Sequence, residues 1–419
     1  MDDLRLTRVY QRFDATAVQD VEAETASQLA ACDVTVRPGS SIAIAVGSRG
    51  ITGIAPIVRQ VVQWVKRQAG IPFIVPAMGS HGGATAAGQR RVIEGYGITE
   101  EYCGASIRSA MDVVELPRDD APVPVYLDAH ASRADGTIVI NRVKPHTSFH
   151  ATYESGLMKM IAIGLGKHAQ ALAIHNLGVP GLRDAMPKVA RAVLRHGKIL
   201  LGLGIVENAF DKPMLIRAIP ASRIPDEEPA LLDLARRNMP SLPVEEIDIL
   251  IVDEIGKDIS GVGMDTNVIG RLRIPGQPEP ETPRIRMIVV CDLSPGAHGN
   301  ALGIGLADVT TRRLFQKIDF AATYENVITT TFLERGKIPI IAETDRQALE
   351  IALRGCGLAA AEGARIVRIR NTLKLDELLV SAPVLSDLQG KPGIQIGPAE
   401  PGCFDSDGGM REFSPVIIS

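Results

Sequence analysis

Apolar positions along this chain alternate between two spacings, and the alternation carries the fold. Three short runs are apolar almost throughout: Ser41-Ile42-Ala43-Ile44-Ala45-Val46, Pro72-Phe73-Ile74-Val75 and Gly136-Thr137-Ile138-Val139-Ile140-Asn141. Their length and β-branched content fit strands buried on both faces. Between them the spacing changes to three and four. Ile57, Val58, Val61, Val62 and Val65 share one face of a helix expected from about residue 54 to 68, with Gly70 as its stop. A more polar helix is expected from about residue 86 to 96. Strand, loop and helix repeated in this way predict an α/β fold, with a mostly parallel sheet and helices on both faces.

Proline and charge then concentrate between Pro220 and Pro243, around Asp226-Glu227-Glu228-Pro229, with a short helix expected at about 230 to 238. A boundary there gives an N-terminal α/β domain over 1–243 and a C-terminal α/β domain over 244–419. The second has strands expected near 247–252, 286–290 and 338–341 and a helix near 345–353. The tail from about Asp387, rich in glycine and proline, receives no assignment. In such sheets ligands bind beyond the carboxyl ends of the strands. The loops at that position carry Ser48-Arg49-Gly50, His81 and His146 in the first domain, and 256–267 and 294–300 in the second. An active site in a cleft between the two domains is the expectation.

Chemistry is densest from Asn141 to Asn176, where His146, His150, His168 and His175 make four of the protein's 8 histidines. Lys159 lies among Leu157, Met158, Met160 and Ile161. An ammonium in such company is costly unless deprotonated, paired or chemically consumed, and a lysine with a lowered pKa is a nucleophile. Taken singly, Lys159 can equally snorkel out of an amphipathic helix. The Gly47-Ser48-Arg49-Gly50 loop opens a helix, so it offers backbone N–H groups and a guanidinium to a phosphate. It can also be a plain connection, as Gly79 to Gly83 can be a plain turn.

Composition narrows the function classes. With 419 residues, 45% apolar and 22% charged, the chain can build two packed domains and shows no bias towards disorder. Lysine and arginine number 45 against 49 acidic residues, a net charge of −4 without a basic cluster, so nucleic acid is not an expected partner. Met1-Asp2-Asp3-Leu4-Arg5 lacks a signal-peptide pattern and no apolar run has the length of a membrane span, which places the expected location in the cytoplasm, away from membranes. Cys32, Cys103, Cys291, Cys356 and Cys403 are scattered without a C-x-x-C. Any metal must therefore lean on histidine or on a ligand that the protein does not encode.

Several longer motifs follow one another in a fixed order. They are G-S-R-G; M-G-S-H-G-G; K-P-H-T-S-F with E-S-G-L-M-K-M, I-G-L-G-K and a following histidine; D-E-I-G-K-D-I-S-G-V-G-M-D-T-N-V; and G-A-H-G-N-A-L-G-I-G-L-A-D. Together they resemble the nickel-dependent lactate racemase family, in its divergent branch of 2-hydroxyacid racemases and epimerases, over about residues 40 to 350. The resemblance implies an isomerase that inverts Cα of a short aliphatic hydroxyacid or a sugar acid. It implies a nickel pincer nucleotide, the nickel complex of pyridinium-3,5-bisthiocarboxylic acid mononucleotide, supplied by cofactor-biosynthesis enzymes and accepting hydride reversibly. By the same resemblance Lys159 is the residue joined to that cofactor, His175 the nickel ligand, and His81 and His146 the acid–base pair. His150, nearer the lysine, is the alternative to His146. In the second domain Lys257, Asp265, Asn267 and His298 are the substrate candidates, Met264-Asp265 and Asn267 standing where founding members have a tyrosine-glutamine pair and a lysine. Two rivals are a metal hydrolase ligated by His81, His146 and His175, and a non-catalytic binder of the nucleotide.

One geometric demand follows. Lys159 and His175 are 16 positions apart, about 24 Å along an unbroken helix. To share one cofactor they must approach within about 10 Å, so the helix has to end near Gly164 to Gly166.

Overall fold

Six strands form the sheet that carries the histidine-rich segment, in the order Ser106–Ile107, Ile71–Pro76, Ser41–Val46, Gly136–Arg142, Ile199–Glu207 and Pro213–Pro220. Every junction is parallel except the last. The computed structural model describes residues 4–48, 50–400 and 402–413. Ile42 to Val46 and Ile138 to Ile140 are buried on both faces, which is why these runs carry no polar alternation. Helix Ile54–Arg67 buries the expected stripe together with Ile54 and Trp64 against this sheet. Its stop differs in detail from the expectation. Ala69 takes the left-handed φ of 60°, whereas Gly70 is required for space: a Cβ there would lie 2.7 Å from Val36 Cγ1.

Ser41–Val46 pairs with Ile71–Pro76 on one side and Gly136–Arg142 on the other. The chain thus leaves the first strand towards one edge of the sheet and later returns to its other side. Loops after Val46 and after Arg142 diverge at this switch point, and divergence opens a crevice at the carboxyl ends of the strands.

The proline-rich stretch read as a boundary is mostly helix. Ile224–Asn238 runs unbroken for 15 residues, with Pro225 in its first turn, where a missing N–H costs nothing. Pro229 cannot donate to the Pro225 carbonyl one turn back, and the Tyr153 hydroxyl donates to that carbonyl instead, at 2.7 Å. Composition alone could not separate a helix start from a linker here.

By internal contacts, 14–239 forms one compact unit, and 1–13 joins 240–419 in the other. The expectation had residues 1–13 in the first domain. Instead Thr7–Gln11 pairs antiparallel with Glu377–Val380 and with Ile394–Ala399, a strand in the unassigned tail. Buried Arg8 closes this arrangement with Glu377 at 2.6 Å and Glu400. The second sheet runs Ile340–Ala342, Val309–Thr311, Arg284–Leu293, Glu246–Ile255, Ile366–Ile369, Glu377–Val380, Thr7–Gln11, Ile394–Ala399. It is parallel as far as Ile366–Ile369 and antiparallel beyond. No helix among the described residues is long and apolar enough to cross a membrane.

Helix Ile224–Asn238 also supplies Glu228, fully buried, whose Oε2 accepts the Met158 N–H at 2.7 Å. Burial pushes this carboxyl up from 4.5 to about 7, against backbone N–H donors that lower it. An acid with a raised folded pKa gives stability that is fully present below its unfolded pKa and is lost as pH rises through the folded one. Between about pH 5 and 8 the protein should lose on the order of 1–3 kcal/mol that a Glu228→Gln variant keeps. Thermal melts of both proteins across that range check it, and equal slopes would remove Glu228 as the titrating group.

Candidate functional site

The site is built on the loops at the switch point and on the segment after strand Gly136–Arg142. Gly47, the first residue beyond Ser41–Val46, leaves room for Met160: a Cβ at Gly47 would lie 2.6 Å from Met160 Cε and 3.2 Å from Asn141 Oδ1. Ser48 Oγ hydrogen-bonds His81 Nδ1, and the Tyr96 hydroxyl donates to the Ser48 carbonyl. The two expected loops therefore meet through their side chains. Arg49, expected to hold phosphate, lies outside the described residues. Gly79 has φ 60°, and its missing side chain faces Ile163 Cγ2 and Ala171 Cβ. Loops from two strands thus pack on the segment that carries Lys159.

That segment is set by carboxylates. Lys144 and Ser155 pair in a short antiparallel bridge, and the Asn141 Nδ2 donates to the Gly156 carbonyl at 2.8 Å. Between the bridge residues, buried Glu154 gathers the loop. Its Oε2 accepts the His146 N–H at 2.6 Å, and its Oε1 takes the Ala151 N–H at 3.1 Å, the Arg236 guanidinium at 2.5 Å and the His150 ring Nδ1 at 3.3 Å. Burial alone would raise this carboxyl, but the His150, His146, Arg236 and Ala151 donors outweigh it and hold it below the usual range. Glu154 therefore stays charged. Sequence reasoning passed over it, although an acid between two histidines and a lysine was signal enough.

The expected turn is present. Leu157–Lys159 continues into a π-helical segment, Met160–Gly164, in which the Leu165 N–H reaches the Met160 carbonyl five residues back at 2.9 Å. The chain then breaks at Leu165 and Gly166, and a new helix runs Lys167–His175. Lys159 Nζ lies 3.4 Å from Ser155 Oγ. His175, part-buried at the end of its helix, is pushed down to about 4, first by burial and then by the positive charge of Lys159. A helix C-terminus ordinarily favours the charged ring. Here the opposing effects win, and His175 is neutral with a lone pair to offer.

His146 and His150 are held differently. Ser148 N–H donates to His146 Nδ1 at 3.1 Å, and the His146 ring stacks on Phe149 with centroids 4.5 Å apart. His150 is half exposed and leans on Glu154. His168 Nδ1 is buried without a hydrogen-bond partner.

The second unit's candidates lie on two loops that pack around Asp258, which accepts from Ser294 Oγ at 2.5 Å. Lys257 Nζ donates to Asn326 Oδ1. Asp265 caps the short helix Thr266–Ile269, accepting both the backbone N–H and the side-chain amide of Asn267 at 3.0 and 2.9 Å. His298 is exposed, at φ 48° after a single 3₁₀ turn. Asp265 and Asn267 thus have a local capping role of their own.

No sequence-family model and no curated protein matches the chain. Among solved structures it is similar to the lactate racemase apoprotein from Thermoanaerobacterium thermosaccharolyticum, with a TM-score of 0.53 and 12% identity over 89% of this chain and 99% of that one. The likeness is one of fold. It extends over most of the chain although little sequence is shared.

The Lys159–His175 juxtaposition has a direct test. Ring resonances of His175 should stay those of a neutral imidazole down to about pH 5, and Lys159→Ala should move its titration upward towards the ordinary histidine value near 6.5. A His175 that titrates alike in both proteins would place the lysine charge elsewhere.

Proposed function

We propose that this protein is a racemase or epimerase acting at Cα of a 2-hydroxyacid, with a nickel pincer nucleotide held by Lys159 and His175. The observation that carries the reading is the break at Leu165 and Gly166, which sets a neutral imidazole within reach of a lysine's charge, in a fold similar to that of a lactate racemase. The donor set fits the cofactor. Among the described residues no three His, Cys, Asp or Glu side chains cluster as metal ligands, so a metal here would take most of its ligands from a bound organic group and one from His175. The same observation weighs against the hydrolase reading, which needs His81, His146 and His175 around one ion.

When bound, such a cofactor supplies a reversible hydride acceptor for Cα, which avoids forming a carboxylate-adjacent carbanion. What remains for the chain is proton transfer at the substrate hydroxyl. A group with that task must exist in both protonation states. His81 meets the requirement, because its Ser48 partner can give or accept a hydrogen bond at Nδ1. His150 meets it too, since a carboxylate at Nδ1 leaves Nε2 open to take and return a proton. His146, with a backbone N–H directed at Nδ1, carries its neutral-state proton on Nε2 and is suited to donating a hydrogen bond to a substrate oxygen. The geometry thus favours His150 over His146 for the second acid–base role.

The proposal is tested with the full chain loaded by co-expressed cofactor-biosynthesis enzymes, by nickel analysis, absorption spectra and chiral chromatography of a 2-hydroxyacid and aldonate panel. His81→Ala and His150→Ala should each lower kcat by about 100-fold or more with nickel retained, and His146→Ala should cost less. Lys159→Ala and His175→Ala should lose nickel, and Arg49→Ala should lower cofactor content. Zinc in place of nickel with hydrolytic activity would replace the proposal, and a nickel chromophore without turnover on any substrate would leave a carrier.

A further inference from the structure

A chain of fully buried polar groups lies beneath the His81 loop: Asp128, Lys167 and Gln89. Asp128 Oδ1 accepts the N–H groups of His130 and Ala131 at 2.8 Å each, and its Oδ2 stands 3.0 Å from Lys167 Nζ. The Lys167 ammonium also donates to the Pro76 carbonyl, at the end of strand Ile71–Pro76, and to Gln89 Oε1 at 3.3 Å. Gln89 in turn donates through Nε2 to the carbonyls of Gly79 at 2.8 Å and His81 at 3.3 Å. Lys167 is the first residue after the break between Lys159 and His175, at φ 56°.

We infer that Gln89 is a positioning residue for His81, transmitting to the His81 loop the placement of the Lys159–His175 turn through Lys167. The inference rests on the reading of His81 as an acid–base group. Its physical basis is that both ends of one amide are used. Oε1 is fixed by an ammonium that belongs to the turn, and Nε2 is then aimed at two carbonyls of the loop. An amide can accept at one end and donate at the other, whereas a carboxylate of the same length can only accept.

That difference makes the test. Gln89→Glu keeps the length and gives Lys167 a stronger acceptor, but it removes the donor to Gly79 and His81; Gln89→Leu removes both. In the cofactor-free full chain, carbethoxylation of His81 by diethyl pyrocarbonate, followed by peptide mass spectrometry, should be roughly fivefold faster in both variants as the Ser48 contact loosens. His298, exposed in the other unit, serves as the internal reference and should not change. In loaded enzyme, kcat should fall by about tenfold or more with the Michaelis constant and nickel content retained, as expected for a displaced proton-transfer group. Unaltered His81 labelling in either variant would overturn the inference, whatever happens to the melting temperature. Accelerated labelling in a protein whose wild type turns over no hydroxyacid would sustain the positioning of His81 and remove the racemase reading instead.

Discussion

Lys167 brings a charged side chain into the interior of the first unit at a backbone angle that disfavours any residue with a Cβ, φ 56°. Burial lowers its pKa, and the charge of Asp128 opposes that shift. Removing one partner of such a buried pair costs roughly 3–5 kcal/mol, because the other charge is left alone in a low dielectric. The strained φ persists because the ammonium is held from several sides, by a strand end, by Asp128 and by Gln89. The turn at Leu165 and Gly166 depends on this anchor. So, on the proposed reading, does the whole site: without the turn, the lysine and the histidine would stand on one rod, too far apart to share a ligand.

On the other side of Lys159 the constraint is a pair of carboxyl groups with opposite electrostatics. Glu154 is charged, surrounded by four donors, and shapes the loop that carries His146 and His150. Glu228 is held up near neutrality by burial and meets the first N–H groups of the Lys159 helix. A helix N-terminus favours a carboxylate, but full burial disfavours the charge, and here burial is the larger effect. Both acids are drawn in by helix Ile224–Asn238, one as Glu228 itself and the other through Arg236. The stretch that composition marks as a boundary is therefore part of the site's foundation.

Strands at 41–46 and 136–142 were legible because strands buried on both faces leave an unbroken apolar record. The turn before Lys167 was legible for another reason: a helix of that length would have contradicted the resemblance. A local signal sufficed for the strands, and the spacing of two residues for the turn. What could not be read depends on partners remote in sequence. Lys167 finds its acceptors 91 and 78 positions away, at Pro76 and Gln89. Thr7–Gln11 finds its neighbours near the other end of the chain, and nothing in its own five residues says which sheet it will join. The helix stop is a smaller case: Gly70 was expected to close the helix, and it is needed for the space left by Val36 and Val65 while Ala69 takes the left-handed φ. On the proposed reading the choice between His146 and His150 was likewise beyond the sequence, since it turns on the partner at each Nδ1, a backbone N–H for His146 and a carboxylate for His150.

That choice bears on how the second histidine is held. Glu154 is not alone with His150, because Arg236 occupies the same Oε1 at 2.5 Å, closer than the ring at 3.3 Å. The guanidinium satisfies much of the carboxylate's charge, and the same carboxylate orients the ring. On the proposed reading, a ring held at Nδ1 leaves Nε2 for proton transfer at the substrate hydroxyl. Arg236 reaches Glu154 from helix Ile224–Asn238, the same helix that carries Glu228, so the placement of the Lys159 helix and the orientation of His150 are both set from one element.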